Sequence, residues 1–260
     1  MDAELYIDNN SFIHRLDPRT KIVVFLLSFV AILLFQNPLW MLPVACLIIL
    51  QLVISGSIKN LLRIRYVLIV LTISSLILWN LFARGTTHLW WIFYVQSIYY
   101  SIARTFLIIL MICAGMILIS TTRNEELVLG MIRLGMPYRV GFAISTSIRL
   151  VPTIASSTMT ISQAQRSRGL DLDSGNLIAR IRKFLPLLVP VFISAIRTTN
   201  IFAMALESKG FGAREKRTFY LNLKMKKADY WVLAFAIVFM LASITLSILG
   251  YGQIAGLIHF

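Results

Sequence analysis

Few residues in this 260-residue chain are equipped for chemistry, and their spacing argues against most kinds of it. Histidine occurs three times, at His14, His88 and His259, too far apart in sequence to suggest a ligand set. Cys46 and Cys113 each stand in an apolar run with no second Cys or His at metal-ligand spacing, so neither a disulfide framework nor a zinc site is expected. No acidic residue falls between Asp17 and Glu125. Ion relays through a membrane use intramembrane carboxylates, so a classical ion-coupled pump is disfavoured. An intramembrane enzyme would need paired carboxylates, clustered histidines or an activated nucleophile, and these residues do not supply one. No glycine-rich phosphate loop is present either. The expectation is a chain with no catalytic residue, no metal and no cofactor of its own.

What recurs is basic. Ala164-Gln165-Arg166-Ser167-Arg168-Gly169-Leu170 is followed 41 residues later, in register, by Ala205-Leu206-Glu207-Ser208-Lys209-Gly210-Phe211. Each reads as a helix C-terminus, with a cation in the last turn and a glycine supplying the left-handed cap. Either copy alone is ordinary helix-ending chemistry. Two copies at the ends of paired helices present two cations at a defined separation, suited to acidic grooves on a two-fold symmetric partner.

The elements that carry these ends follow from composition. The chain is 58% hydrophobic and 14% charged, with a mean hydropathy of +0.80. A soluble protein of this size would need far more polar surface, so an all-α integral membrane protein is expected. The polar start Met1-Asp2-Ala3-Glu4 lacks the basic region of a signal peptide, so the apolar run after Lys21 is expected to remain in the mature protein. That run, Thr20 to Ser55, is too long for one span and is split by Gln36-Asn37-Pro38. Further spans are expected over Tyr66 to Ala83, Ser97 to Ser120 and Tyr230 to Leu249, about five in all. Trp90, Trp91, Tyr94, Tyr99 and Tyr100 suit a membrane–water interface.

Net charge is +14, and 17 of the 25 basic residues lie between Arg123 and Lys227. Arg15, Arg19 and Lys21 precede the first span, and Lys59, Arg63 and Arg65 occupy the second loop, whereas the first loop carries no charge. The positive-inside rule then puts the N-terminus in the cytoplasm and, with five spans, the C-terminus outside. Val140 to Ile161 and Phe184 to Leu206 are apolar enough to be scored as spans, but crossing would place Arg166, Arg168, Arg180, Arg182 and Lys183 outside. Two long cytoplasmic or interfacial helices, kinked at Pro152, Pro186 and Pro190, avoid this. Arg149 and Arg197 inside them fit amphipathic helices. Ahead of them, Thr122 to Leu134 reads as a short amphipathic helix with Thr122 as N-cap, ended by Gly135-Met136-Pro137. The expected organisation is 1–121 with the first four spans, a cytoplasmic coupling domain over 122–228 with helices near 122–135, 138–168 and 176–209, and 229–260 with the last span.

Several of these segments together resemble the transmembrane (T) component of energy-coupling factor transporters, the CbiQ-like family. They are His14 to Lys21, with Asp17, Pro18, Arg19 and Lys21 as the N-terminal motif; Gly135-Met136-Pro137; Arg149-Leu150-Val151-Pro152; Gln163 to Gly169; and Pro186 through Arg197 to Gly210-Phe211. The resemblance implies a multi-pass scaffold of the cell membrane that binds two cytoplasmic ABC-type ATPases and a small substrate-capturing membrane protein, the S component, with no nucleic acid and with ATP held by its partners. In that family, Ala-Arg-Gly motifs at the ends of two coupling helices enter the ATPase dimer. The matching residues here are Ser167-Arg168-Gly169 and Ser208-Lys209-Gly210, which depart by Ser for Ala in both and Lys for Arg in the second. Ala143, Ser145, Ala155, Met159, Ala195, Ala203 and Met204 are expected to form an adaptable surface toward the S component, or to pack the two helices together. The implied cargo is a water-soluble vitamin or a transition-metal cation. The competing reading is a conventional ABC permease subunit lining its own substrate path.

Overall fold

In the computed structural model, which describes residues 6, 11–82, 84–85, 88–90, 93–170, 177–213, 223–251 and 257–258, the chain folds into helices whose starts are written in its caps. Asp17 precedes Pro18, and its Oδ1 accepts from the backbone N–H of Arg19 at 3.0 Å, opening α1 (Pro18–Leu34). Asn37 does the same for Leu39 at 3.0 Å ahead of α2 (Pro38–Ser55). In both, proline occupies the first turn, where its missing N–H has no intrahelical partner to lose. The Gln36-Asn37-Pro38 break therefore falls where expected. There follow α3 (Ile58–Arg63), α4 (Arg65–Phe82), α5 (Val95–Thr121), α6 (Asn124–Arg133), α7 (Tyr138–Ser167), α8 (Leu177–Ser208) and α9 (Lys227–Ile248). Two short extended pairings, Arg84–Gly85 with Leu257–Ile258 and His88–Trp90 with Phe93–Tyr94, add no sheet layer. Trp91, His259 and segments 171–176 and 214–222 lie outside the described residues.

The fold is all-α, and among the described residues five helices are long and apolar enough to cross a membrane: α2, α4, α5, Phe184–Ser208 within α8, and α9. Four of these are expected spans. The fifth expected span is α1, whose 17 residues give about 25 Å of helix. The Phe184 segment was set aside on charge grounds and meets the length and hydropathy requirement all the same.

The chain divides into two compact units, residues 1–137 with 223–260, and residues 138–222. In the first, α5 is central and packs on α4, α2 and α1, while α9 lies along α1. The core joins Ile32, Met41, Val44 and Ile48 to Leu107, Leu110 and Cys113. α6 packs on α1: Val128 and Leu129 are buried, and a Cβ at Gly130 would come within 3.1 Å of both Ile22 Cδ1 and Pro18 Cβ. α6 thus belongs with the membrane helices, where the sequence reading had grouped it with the two long ones. Its N-cap is Arg123, not Thr122, and makes no side-chain cap bond. Thr122 is instead buried, its Oγ1 without a hydrogen-bond partner among the described residues. Tyr100 also departs from expectation. It is buried edge-on against Trp79 at 5.3 Å, while Tyr99 stays exposed.

At one end of this unit a buried polar clamp gathers three chain segments. Asp229 Oδ1 accepts from the Asp17 backbone N–H at 2.8 Å, and its Oδ2 accepts from the Lys226 N–H at 2.7 Å. Lys21 Nζ donates to the Thr121 carbonyl at 2.7 Å and the His14 carbonyl at 3.1 Å. Asp17, Lys21 and Asp229 are all buried. Each charge answers a helix terminus: the ammonium meets the free last carbonyl of α5, and the Asp229 carboxylate lies in the first turn of α9. Asp229→Ala should leave one buried and one half-buried N–H without an acceptor, at about 1–3 kcal/mol each, whereas Asp229→Asn keeps one acceptor oxygen. Thermal unfolding in detergent is expected to rank wild type above Asp229→Asn and that above Asp229→Ala; equal midpoints would contradict the clamp.

Candidate functional site

The second unit is built from α7 and α8, 30 and 32 residues long, about 45 and 48 Å of helix. They meet through small and hydroxyl-bearing side chains. Thr153, Ile154, Ser157, Thr158 and Ile161 of α7 face Val191, Ser194, Ala195 and Thr198 of α8 across a shallow cleft. On both helices the contacts recur at i, i+3 or i+4, and i+7, one face of a helix. Thr158 Oγ1 donates to the Ile154 carbonyl at 2.8 Å, and Thr198 Oγ1 to the Ser194 carbonyl at 2.9 Å. The hydroxyls are thereby satisfied within their own helices, and the seam acts as a small-residue crossing that lets two backbones approach.

Both helices end in the same geometry. Gly169 has φ +87° and Gly210 φ +71°, the left-handed region that costs an L-residue with a Cβ of the order of 1 kcal/mol. Leu170 N–H bonds the Gln165 carbonyl at 3.0 Å, and Gly169 N–H the Arg166 carbonyl at 3.0 Å. At the second end, Phe211 N–H bonds Leu206 O and Gly210 N–H bonds Glu207 O, both at 2.9 Å. These are paired Schellman caps. They leave Arg168 and Lys209 as the exposed residues just before the turn. Ser167 Oγ donates back to Gln163 O at 3.1 Å, and Ser208 Oγ to Ala205 O at 3.0 Å. With their hydroxyls folded onto the helix, these serines present much the same outer surface as alanine.

An aromatic contact fixes where the tips lie. Phe211, just past the second cap, packs on Phe142 at 4.4 Å and on Tyr138 at 6.4 Å. The end of α8 is therefore seated on the beginning of α7, and the two helices run in opposite senses from their crossing. From Phe142 to Arg168 is about 39 Å of helix, so the two basic tips project from opposite ends of the pair. The spacing Tyr138–Phe142, i and i+4 at a helix start, was the available signal for this clasp in the sequence.

The residues expected to face a membrane partner do not share one surface. Ala195 is half-buried and faces α7 in the cleft. Ser145 is half-buried, whereas Ala143, Ala155, Met159, Ala203 and Met204 are exposed, Met159 at 68% and Met204 at 60%. Ala155 and Met159 continue an exposed apolar stripe on α7 formed by Val140, Ile144, Ile148 and Val151. α8 carries a second stripe, Leu185, Val189, Phe192 and Ile196, leading to Ala203. Arg149 and Arg197 are exposed beside these stripes. Of the N-terminal motif, Asp17 and Lys21 lie in the clamp of the first unit, and Arg19 Nε stands 3.8 Å from Asp17 Oδ1. Asp229, the acceptor on which the clamp turns, had no sequence signal beyond being an acid in the first turn of the last span.

A chain carrying Cys46→Ala and Cys113→Ala, with cysteines introduced at Phe142 and Phe211, is expected to cross-link in membranes with a short bifunctional thiol reagent. The pair Phe142→Cys and Arg168→Cys is expected to stay uncross-linked. The reverse pattern would overturn the opposed arrangement.

The family model described as cobalt transport protein, CbiQ, matches residues 9–220. The chain is 31% identical over 250 residues to the energy-coupling factor transporter transmembrane protein EcfT of Ruminiclostridium cellulolyticum, covering 90% of this chain and 92% of that one. It is 32% identical over 237 residues to the protein of the same name from Thermosediminibacter oceani, covering 86% and 89%. With the Streptococcus thermophilus EcfT it shares 32% over 233 residues, 84% and 88% of the two chains. The chain therefore belongs to the CbiQ family, the transmembrane components of energy-coupling factor transporters.

Proposed function

We propose that this protein is the non-catalytic membrane scaffold of an energy-coupling factor importer, joining two cytoplasmic ABC-type ATPases to a small S component. The observation that carries this reading is the pair of capped basic tips, Arg168-Gly169 and Lys209-Gly210, at opposite ends of one crossed helix pair. A two-fold ATPase dimer offers two equivalent grooves. Two cations about 40 Å apart along one helix pair suit such a partner, one tip to each subunit. When ATP draws the subunits together, each tip moves with its own groove. The small-residue crossing at Ser157 and Ala195 is the pivot about which α7 and α8 then change angle.

The apolar stripes on α7 and α8 are the surfaces that would carry this change to the S component. Both are exposed and apolar, and Met159 and Met204 are side chains that tolerate different packings. Substrate choice, a vitamin or a transition-metal ion, then rests with the S component. The scaffold binds no cofactor of its own, and ATP is held and hydrolysed by the partner subunits. In this reading the protein is a multi-pass component of the cell membrane with its N-terminus and α6–α8 on the cytoplasmic side and its C-terminus outside.

Lysine in place of arginine at position 209 keeps the charge and gives up the planar fork that pairs bidentately with carboxylates. That tip should hold its ATPase more loosely than the Arg168 tip. Replacing Arg168 and Lys209 together by Glu is expected to abolish co-purification of the ATPases and substrate uptake while membrane insertion is kept. Lys209→Arg should raise ATPase retention in high salt. Unchanged assembly in the double Glu variant would sink the proposal.

The apolar length of Phe184–Ser208 is the one feature that favours a permease subunit lining its own path. Purification of the native complex separates the two readings. ATPases with an additional small membrane protein support the scaffold; ATPases alone support the permease.

A further inference from the structure

One cation stands far from every role assigned above. Arg104 lies in the middle of α5, on a span whose flanking residues carry no acid from Pro18 to Asn124. Its guanidinium carbon sits 4.8 Å from the ring centroid of Tyr100 and 5.7 Å from that of Trp79. Its Nε is buried without a hydrogen-bond partner among the described residues. Most of the polar groups nearby are already committed across the α4–α5 seam; the exception is the neutral Asn80 Oδ1, buried without a hydrogen-bond partner among the described residues, which carries no counter-charge. Asn80 Nδ2 donates to Ser101 Oγ at 2.9 Å, Ser97 Oγ to the Asn80 carbonyl at 3.2 Å, and Thr105 Oγ1 to Ser75 Oγ at 3.0 Å. Two aromatic faces orient the guanidinium through cation–π attraction but supply no counter-charge. An arginine in a span calls for an anion or for water, and the described residues offer no anion at that depth.

Depth identifies the source. The ionised cluster of Asp17, Lys21 and Asp229, bonded to the Thr121 carbonyl, marks one boundary of the hydrocarbon at the end of α5. Arg104 is 17 residues back from Thr121, about 25 Å along the helix. In a hydrocarbon layer about 30 Å thick it therefore lies about 5 Å inside the opposite boundary. The arginine stem spans such a gap by snorkelling, which brings the fork to the level of the lipid phosphates. Trp79 is a side chain of the kind that lines this level in membrane proteins, and the buried Tyr100 packs edge-on against it. Around them Leu78, Phe82 and Ile102 are exposed apolar residues, a surface suited to acyl chains.

We propose that Arg104, framed by Trp79 and Tyr100, is a binding site for the phosphodiester of a phospholipid in the leaflet opposite the polar clamp. The guanidinium fork takes the phosphate oxygens, the two rings hold the fork in place, and the acyl chains lie on α4 and α5. The bound headgroup supplies the counter-charge that the chain lacks and fixes the height of α5 in the bilayer. This site is independent of the coupling role of α7 and α8.

The test uses the full-length protein in phosphatidylglycerol nanodiscs, transferred to dodecyl maltoside and washed, with retained lipid counted by native mass spectrometry. Wild type and Arg104→Lys are expected to retain a phospholipid that Arg104→Gln holds about tenfold less well. Diacylglycerol, which lacks the phosphate, should fail to replace it. Trp79→Leu, which keeps the charge, should weaken retention to an intermediate level, so the site remains testable if the Gln variant does not fold. Equal retention by the Gln and Trp79 variants, or competition by diacylglycerol, would overturn the proposal. So would a charge reversal at Arg104 that leaves lipid retention unchanged and dissociates a membrane protein partner, since the counter-ion would then be that partner's carboxylate.

Discussion

A single buried carboxylate organises the base of this molecule. Asp229 accepts one N–H from the chain entering α1 and another from the chain entering α9, so the first and last helices of the first unit start from one point. Lys21, a turn into α1, closes the arrangement by donating to the last carbonyl of α5. Burying ions is costly unless each is paired with charge or dipole, and here every ion meets a helix terminus. The chain leaves the first unit after α6, which is held against α1 at Gly130, and returns just ahead of Asp229. Both connections to the second unit thus leave from this base.

The second unit, α7 with α8, is built on the opposite principle. Its two helices touch mainly through threonine, serine, alanine and valine, with Ile154 and Ile161 the bulkiest side chains in the seam. Such a seam permits a change of crossing angle, as knobs of leucine or phenylalanine would not. Rigidity is restored at the ends: each tip is closed by a Schellman cap, and the α8 tip is seated on α7 by Phe142 and Phe211. In the proposed mechanism the crossing is where the angle changes and the capped tips are where the ATPases hold.

Much of this was legible in the sequence because it rests on local chemistry. Asn37-Pro38 splits the first apolar run, and Gly169 and Gly210 end the long helices, since proline and glycine act within a turn of where they stand. The contacts between distant segments were not legible. Asp229 lies 212 residues from Asp17, and nothing in its neighbours says that it faces α1. Thr122 carries the right side chain for a cap, yet Arg123 holds that position and Thr122 is buried instead. Ala195 has the composition of a partner-facing residue and turns out to face α7, because helical phase, not residue type, decides which side it covers. Arg104 is in sequence only one basic residue in an apolar run; the rings of Tyr100 and Trp79 beside it are visible in the fold alone.

The central claim is that ATP binding by the partner subunits changes the angle between α7 and α8. Spin labels at positions 164 and 205, one turn before each tip and exposed, in a chain without Cys46 and Cys113, would measure it in the assembled complex by pulsed electron double resonance. A shift in the distance distribution on adding a non-hydrolysable ATP analogue, lost when Arg168 and Lys209 are reversed in charge, is the predicted result. An unchanged distribution in a complex that transports its substrate would contradict the account.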